Sequence, residues 1–139
     1  MHRLVWFVFI INLFPAYLHA DSKIPILEVK GPTVIAFFRP VTKDQLNKDT
    51  DLNESLSDFQ HHLRGAKPAL ENAGITVHAI YAKSFTVKLP ASTTTFKPVD
   101  ANVGYYFIMP GKKPMIQYGV MTDIDLLYVA SDYFGKKII

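Results

Sequence analysis

The sequence contains no cysteine among its 139 residues. This absence excludes disulfide bonds, thiolate metal ligands and every mechanism that needs a thiol. With 7 Gly and 9 Pro, the chain is also too poor in these residues to be collagen-like or of low complexity. Hydrophobic residues make up 49% of the chain and the formal net charge is only +3, so the composition is that of a folded protein and not of a disordered polymer.

The lysines are scattered along the chain and do not form a basic stripe interleaved with aromatic residues, so we expect no nucleic-acid partner. No glycine-rich phosphate loop follows a predicted strand, and no Gly-x-Ser-x-Gly elbow is present to position a nucleophile. The sequence therefore contains no recognisable enzyme signature, and we predict no cofactor and no bound metal.

Residues 1–20 have the pattern of a secretory signal peptide. Arg3 precedes a mostly apolar run at residues 4–14, and Ala20 precedes a cleavage site before Asp21. The run is shorter than the roughly 20 residues of a membrane-spanning helix. We expect a periplasmic or secreted protein that has no stable membrane anchor once the signal peptide is cleaved; the alternative is an uncleaved anchor.

The first half of the mature chain has the pattern of a β–α–β unit. Residues 33–38 form a short, β-branched apolar run that is typical of a strand buried on both faces. Residues 41–51 are polar and are predicted to form a loop. One amphipathic helix is then indicated by apolar residues at alternating spacings of four and three, which are Leu52, Leu56, Phe59, Leu63, Ala66, Leu70 and Ala73. Residues 76–82 predict a second strand, parallel to the first.

The second half predicts short strands followed by a helix. Phe85, Val87 and Leu89 alternate as in an edge strand, and residues 93–96 are expected to pair locally. Residues 105–109 and 115–118 flank a turn and predict a β-hairpin. The last helix should begin after an N-cap at Thr122, end at Gly135 and bury a stripe made of Ile124, Leu127, Ser131 and Phe134.

This order of elements is similar to the thioredoxin-like fold of thioredoxins and peroxiredoxins. Residues 34–38 resemble their first central strand, residues 68–80 their kinked helix and next strand, and residues 105–134 their terminal strand–turn–strand–helix. The resemblance implies an α/β fold with a central mixed sheet of about four to five strands flanked by helices. It places a single domain at residues 31–139, after a lead-in at residues 21–30.

The chain departs from redox members of this fold at two positions. Where they carry a Cys-x-x-Cys motif or a single Cys, this chain has Arg39-Pro40-Val41-Thr42-Lys43-Asp44. Where they carry a cis-proline, this chain has Val103-Gly104, and we expect a trans bond because a cis bond without proline costs about 3–4 kcal/mol. Thiol oxidoreductase and peroxidase activities are therefore excluded, whereas the fold is retained as an expectation.

Two polar patterns have structural interpretations that we prefer to functional ones. Asp49-x-Asp51-x-Asn53 begins like a calcium loop, but Glu54 stands where the loop needs glycine and Gln60 where it needs an acid. These acids are better explained as stabilising a helix N-terminus.

The histidines have no spacing that is typical of a metal site. His61 and His62 are adjacent, so their side chains diverge on a helix; we expect His61 in solvent and His62 at the border of the apolar stripe. His78 lies in mid-strand, and a triad with Ser84 or Ser92 and Asp100 can be drawn, but no motif positions one.

We therefore predict an exported, non-redox binding or accessory protein of the bacterial cell envelope, with a protein partner there. The predicted contact surface is the loop at residues 39–51, because open α/β sheets bind at the carboxyl ends of their strands. The predicted binding residues are Arg39, Lys43, Asp44, Val103 and Gly104. Two alternatives remain open: an enzyme of unfamiliar chemistry that uses His78 and nearby hydroxyls, and a structural subunit that pairs through the hairpin edge or the last helix.

Overall fold

The computed structural model describes residues 24–96 and 101–138, so the predicted signal peptide and Asp100 lie outside the described residues. The described part is a mixed α/β structure with seven strands and three helices. In chain order these are β1 (Ile26–Glu28), β2 (Thr33–Phe38), α1 (Lys43–Lys48), α2 (Thr50–Asn72), β3 (Thr76–Tyr81), β4 (Phe85–Lys88), β5 (Thr93–Phe96), β6 (Val103–Ile108), β7 (Met115–Tyr118) and α3 (Asp123–Phe134).

Four strands form a mixed sheet in the order β3-β2-β6-β7. The strands β2 and β3 are parallel and are joined through α2, which confirms the predicted β–α–β unit. The strand β6 is antiparallel to β2 and forms the predicted hairpin with β7. Every residue of β2 is buried, as its continuous apolar run predicts.

Both long helices cover one face of this sheet. Val34, Ala36 and Phe38 of β2 share a core with α2 and α3. The predicted stripe of α2 is confirmed by its buried residues, which are Leu52, Leu56, Phe59, Leu63, Ala66 and Leu70. One apolar stripe therefore fixes how α2 lies on the sheet.

A second, three-stranded sheet in the order β1-β4-β5 covers the opposite face. Ile35 and Phe37 of β2 pack there against Phe85 and Val87 of β4. We expected helices to flank the sheet, but they cover only one face. We also expected an edge strand at β4, but β4 lies between β1 and β5 because each of them pairs with it.

The prediction of a loop at residues 41–51 is wrong, because α1 occupies residues 43–48. Thr42 is its N-cap: the Thr42 Oγ1 accepts a hydrogen bond from the Gln45 N–H at 3.1 Å, and the Gln45 Oε1 accepts one from the Thr42 N–H at 2.9 Å. No residue of α1 is buried, so this helix has no apolar stripe that a periodicity search could detect. Its capping box is the one local signal.

The predicted buried stripe of α3 is correct at Phe134 but wrong at Ile124, and Leu127 and Ser131 are only half-buried, whereas the caps at Thr122 and Gly135 are confirmed. The buried residues of α3 are Leu126, Ala130, Tyr133 and Phe134, and Ile124 is 58% exposed. Burial of these four side chains in the core shared with α2 and the sheet sets this rotation, and it brings the Asp123 Oδ1 to 3.5 Å from the His62 Nδ1. With Asp123 turned towards α2, Ile124 lies about 100° further round the helix and points to solvent.

Gly104 is required by the packing of Phe37. The peptide bonds of the described residues are all trans, as we expected at Val103, and Gly104 does not have a positive φ. A Cβ built on Gly104 would lie 2.5 Å from the Phe37 Cζ and 3.1 Å from the Gln117 carbonyl oxygen. The Phe37 ring is held by Phe85, with ring centroids 5.7 Å apart, so it has little room to move away.

Gly104→Ala should therefore lower the free energy of unfolding by roughly 1–3 kcal/mol, as overpacking of a core does. The measurement is urea-induced unfolding followed by circular dichroism. Gly31→Ala is the matched control, because no atom lies within 4 Å of a Cβ at Gly31. Equal stability of Gly104→Ala and the wild type would show that the contact with Phe37 does not constrain this position.

Candidate binding surface

The structure brings three of the five predicted binding residues together at one end of the four-stranded sheet. Arg39 directly follows β2, and its backbone N–H donates to the Asn102 carbonyl at 2.7 Å. Val103 pairs with Phe38 and Gly104 pairs with Phe37 in the β2–β6 ladder. The carboxyl end of β2 and the start of β6 therefore form one continuous surface.

Arg39 has a buried polar atom without a partner. Its Nε is inaccessible to solvent and makes no hydrogen bond within residues 24–96 and 101–138. An unsatisfied buried donor costs about 1–3 kcal/mol, and more when the group is charged. A carboxylate or another anionic acceptor would satisfy a guanidinium best, because charge-assisted hydrogen bonds are the stronger ones.

Lys43 and Asp44 lie apart from that buried atom, on the exposed surface of α1. Asp44 forms an ion pair with Lys48 at 3.0 Å. Both side chains of this pair are largely exposed, so it contributes little to stability. Lys43 and Asp44 are exposed and therefore accessible to a partner, but no hydrogen bond or ion pair between described residues joins them to Arg39.

A polar groove lies where α1 meets the first turns of α2. Its volume is about 400 Å³, and it is open to solvent; it is lined by Leu46, Asn47, Thr50, Asn53, Glu54 and Ser57. Sequence reasoning missed this groove because it treated residues 41–51 as a loop. An open, polar groove suits a contact with another protein better than an enclosed small-molecule site, which is concave and mostly apolar.

The acids next to this groove cap a helix, as predicted. The Asp49 Oδ1 accepts a hydrogen bond from the Leu52 N–H at 3.0 Å, and Asp51 lies in the first turn of α2. Asp49 is therefore the N-cap of α2. The described residues contain no group of three or more His, Asp or Glu that could hold a metal ion.

The adjacent histidines diverge as expected. His61 is exposed, and His62 is partly buried at the border of the α2 stripe. The Asp123 N–H donates to the His62 Nδ1 at 3.4 Å, so His62 joins α2 to the start of α3. This contact gives His62 a role in packing.

His78 lies on β3 opposite Ile35, on the face that the smaller sheet covers. Burial lowers the pKa of His78, and the positive charge of Lys67 lowers it further. Among the described residues, the side chain of His78 takes part in no hydrogen bond or ion pair, with hydroxyls or otherwise. The structure thus gives no polar contact that would orient His78 as a general base.

Comparisons of the chain with family models, with curated proteins and with solved structures find no match. Of the helices in residues 24–96 and 101–138, none has both the length and the hydropathy that a membrane-spanning segment needs. The function must therefore be argued from the site itself.

His78 should make the stability of the protein depend on pH. Because the pKa of His78 is lower in the folded protein than in the unfolded chain, the unfolded chain binds more protons between the two values. The neutral His78 therefore costs no stability above its unfolded pKa of about 6.5. As the pH falls from there towards the pKa of His78 in the folded protein, the free energy of unfolding should decrease.

We expect His78→Gln to lose less stability than the wild type between neutral pH and about pH 5, since the titrating group is gone. Urea unfolding at a series of pH values measures this, with His61→Gln, a change at an exposed position, as the matched control. In the same series Lys67→Gln should raise the pKa of His78, which can be followed by NMR. An identical pH dependence in wild type and His78→Gln would contradict the assignment.

Proposed function

We propose that this chain is an exported, non-redox binding or accessory module of the bacterial cell envelope, built on a thioredoxin-like sheet. The order and direction of the strands support the fold assignment. The sheet order β3-β2-β6-β7 has a parallel pair joined by a helix and then an antiparallel hairpin followed by a helix. The cysteine-free sequence separates the chain from the redox members of that fold. The pattern of residues 1–20 supports export.

The observation that carries the binding role is the half-buried side chain of Arg39 at the carboxyl end of β2, which makes no hydrogen bond or ion pair with any described residue. Open α/β sheets bind their ligands at this end of the strands. A partner protein that presents a carboxylate to Arg39 would satisfy the guanidinium. Its neighbouring surface would then contact α1, through Lys43 and Asp44, and the groove between α1 and α2.

Arg39→Gln should weaken the complex about tenfold or more, because a hydrogen bond to a charged group contributes about 1.5–3 kcal/mol. The test is crosslinked affinity capture from a bacterial envelope extract, with the full chain expressed with a C-terminal tag as bait. The intact mass of the recovered bait also reports whether the exported chain begins at Asp21.

The matched control is Lys88→Gln, which removes a positive charge from an exposed side chain on β4. A partner held by the wild type and by Lys88→Gln, but lost with Arg39→Gln, supports the proposal. Equal recovery with Arg39→Gln and the wild type would contradict a role for this surface.

A further inference from the structure

A second surface, away from Arg39, lies along the outer edge of β3. In the described residues, β3 pairs only with β2. The Thr76 N–H donates to the Pro32 carbonyl at 2.9 Å. In a parallel ladder the backbone groups of successive residues alternate in direction, so those of Thr76, His78 and Ile80 point to β2. The N–H and C=O groups of Val77 and Ala79 therefore point outward, and no described residue bonds to them.

This edge lacks the devices that normally protect an edge strand. Natural edges are shortened, or carry charged residues, proline or a bulge. The six residues of β3 include no lysine, acid or proline, and its register with β2 is continuous from Thr33↔Thr76 to Phe38↔Tyr81. The edge strands β1, β5 and β7 are shorter, with 3, 4 and 4 residues.

The helix-side flank of this edge is open at its centre. Ala79 pairs with Ala36, so its methyl group lies on the side of the helices, yet Ala79 is exposed. The layer of α2 thus leaves this central position of β3 uncovered, although Val77 and Tyr81 on the same face are half-buried. An added strand would meet only a methyl group there.

The flank of α2 that borders this edge is basic. The Gln60 Nε2 donates to the Tyr81 hydroxyl at 3.1 Å, which places the stripe that contains Gln60 beside β3. Arg64 follows Gln60 by four residues and Lys67 follows Arg64 by three, so both lie on the same stripe of the helix. Glu71 continues it, at 3.9 Å from the Lys67 Nζ.

Positive charges also lie beyond both ends of β3. Lys83 is exposed two residues after the strand. The Lys136 Nζ donates to the Ala73 carbonyl at 2.7 Å, just before the strand begins. Among the described residues on this stripe and beside the ends of β3, four are thus cations and one, Glu71, is an acid.

We propose that the outer edge of β3 binds an extended acidic peptide segment of a partner protein as a fifth strand of the sheet. The outward backbone groups of Val77 and Ala79 supply the hydrogen bonds of strand addition. Acidic side chains on the helix side of the added strand lie next to Arg64 and Lys67. This proposal goes beyond the function at Arg39 and does not depend on it.

A second copy of this chain fits the edge less well. Antiparallel pairing about a two-fold axis sets the same patch against itself. The stripes of the two α2 helices would then run in opposite directions, and Arg64 of one copy would lie near Lys67 of the other. The repulsion between these like charges disfavours self-pairing, whereas the acidic side chains of a partner strand would be attracted to them.

The test is an NMR titration of the full chain with a synthetic peptide of about eight residues, the length of a typical strand, in which Glu alternates with Val. We expect shifts of the Val77 and Ala79 amides that saturate with peptide and weaken with added salt. A peptide of alternating Lys and Val should cause no such shifts. No saturating shift at β3 with the Glu peptide would overturn the proposal.

Two variants separate backbone pairing from charge. Ala79→Pro removes an outward N–H that β2 does not use, and proline is tolerated at such edge positions; it should reduce peptide affinity about tenfold or more. Arg64→Glu should reduce the affinity several-fold without touching the strand. Lys113→Glu, the matched charge reversal on the turn between β6 and β7, should bind the peptide as the wild type does.

Two further results would overturn the proposal. One is unchanged peptide affinity in both Ala79→Pro and Arg64→Glu. The other is a dimer of the wild type, seen in sedimentation velocity, that Ala79→Pro dissociates, because a second copy of the chain would then occupy the edge. Arg39→Gln should bind the peptide normally, so failure here and failure of the Arg39 surface give different results.

Discussion

The complete burial of β2 is the constraint on which the rest of the structure depends. All six of its residues are shielded from solvent, and alternate side chains enter two different cores. Burying one Val, Ile or Phe side chain contributes about 1.5–3 kcal/mol, so both faces of this strand have to be covered. Without cysteine, no disulfide can replace either cover.

The two faces of β2 are covered by different kinds of element, helices on one and a sheet on the other, and this difference determines which strand edges stay open. The helices α2 and α3 cover one face, while β1, β4 and β5 pair with one another over the second face. Because β4 and β5 build a separate sheet, the chain adds no described strand outside β3. The open β3 edge and the surface at the end of β2 are thus both consequences of how the chain covers its central strand.

The elements with strong periodicity could be predicted from the sequence. β2 was predicted from a continuous apolar run, α2 from its alternating spacing, and the β6–β7 hairpin from two apolar segments around a turn. The helix α1 could not be predicted from periodicity, because it buries no side chain. The rotation of α3 depends on its packing in the core with α2, which brings together His62 and Asp123, residues that are 61 positions apart.

The candidate surfaces could be predicted only in part. The approach of Arg39 to Val103 and Gly104 follows from the order of the strands, which the resemblance implied. The unpaired Nε of Arg39 depends on which acceptors lie nearby in three dimensions, and the groove depends on α1. The openness of β3 depends on β4 and β5 joining β1 in a separate sheet, and the pairing of β1 with β4 connects residues 60 positions apart, such as Ile26 and Thr86.

The most direct test of this account is amide hydrogen exchange of the free protein, resolved residue by residue. The central claim is that β2 is closed on both sides while the outer edge of β3 is open. We expect the amides of Val77 and Ala79 to exchange rapidly, those of His78 and Ile80 slowly, and those of β2 only through global unfolding. Equal, strong protection of Val77, His78, Ala79 and Ile80 would show that the edge is already paired and would contradict the account.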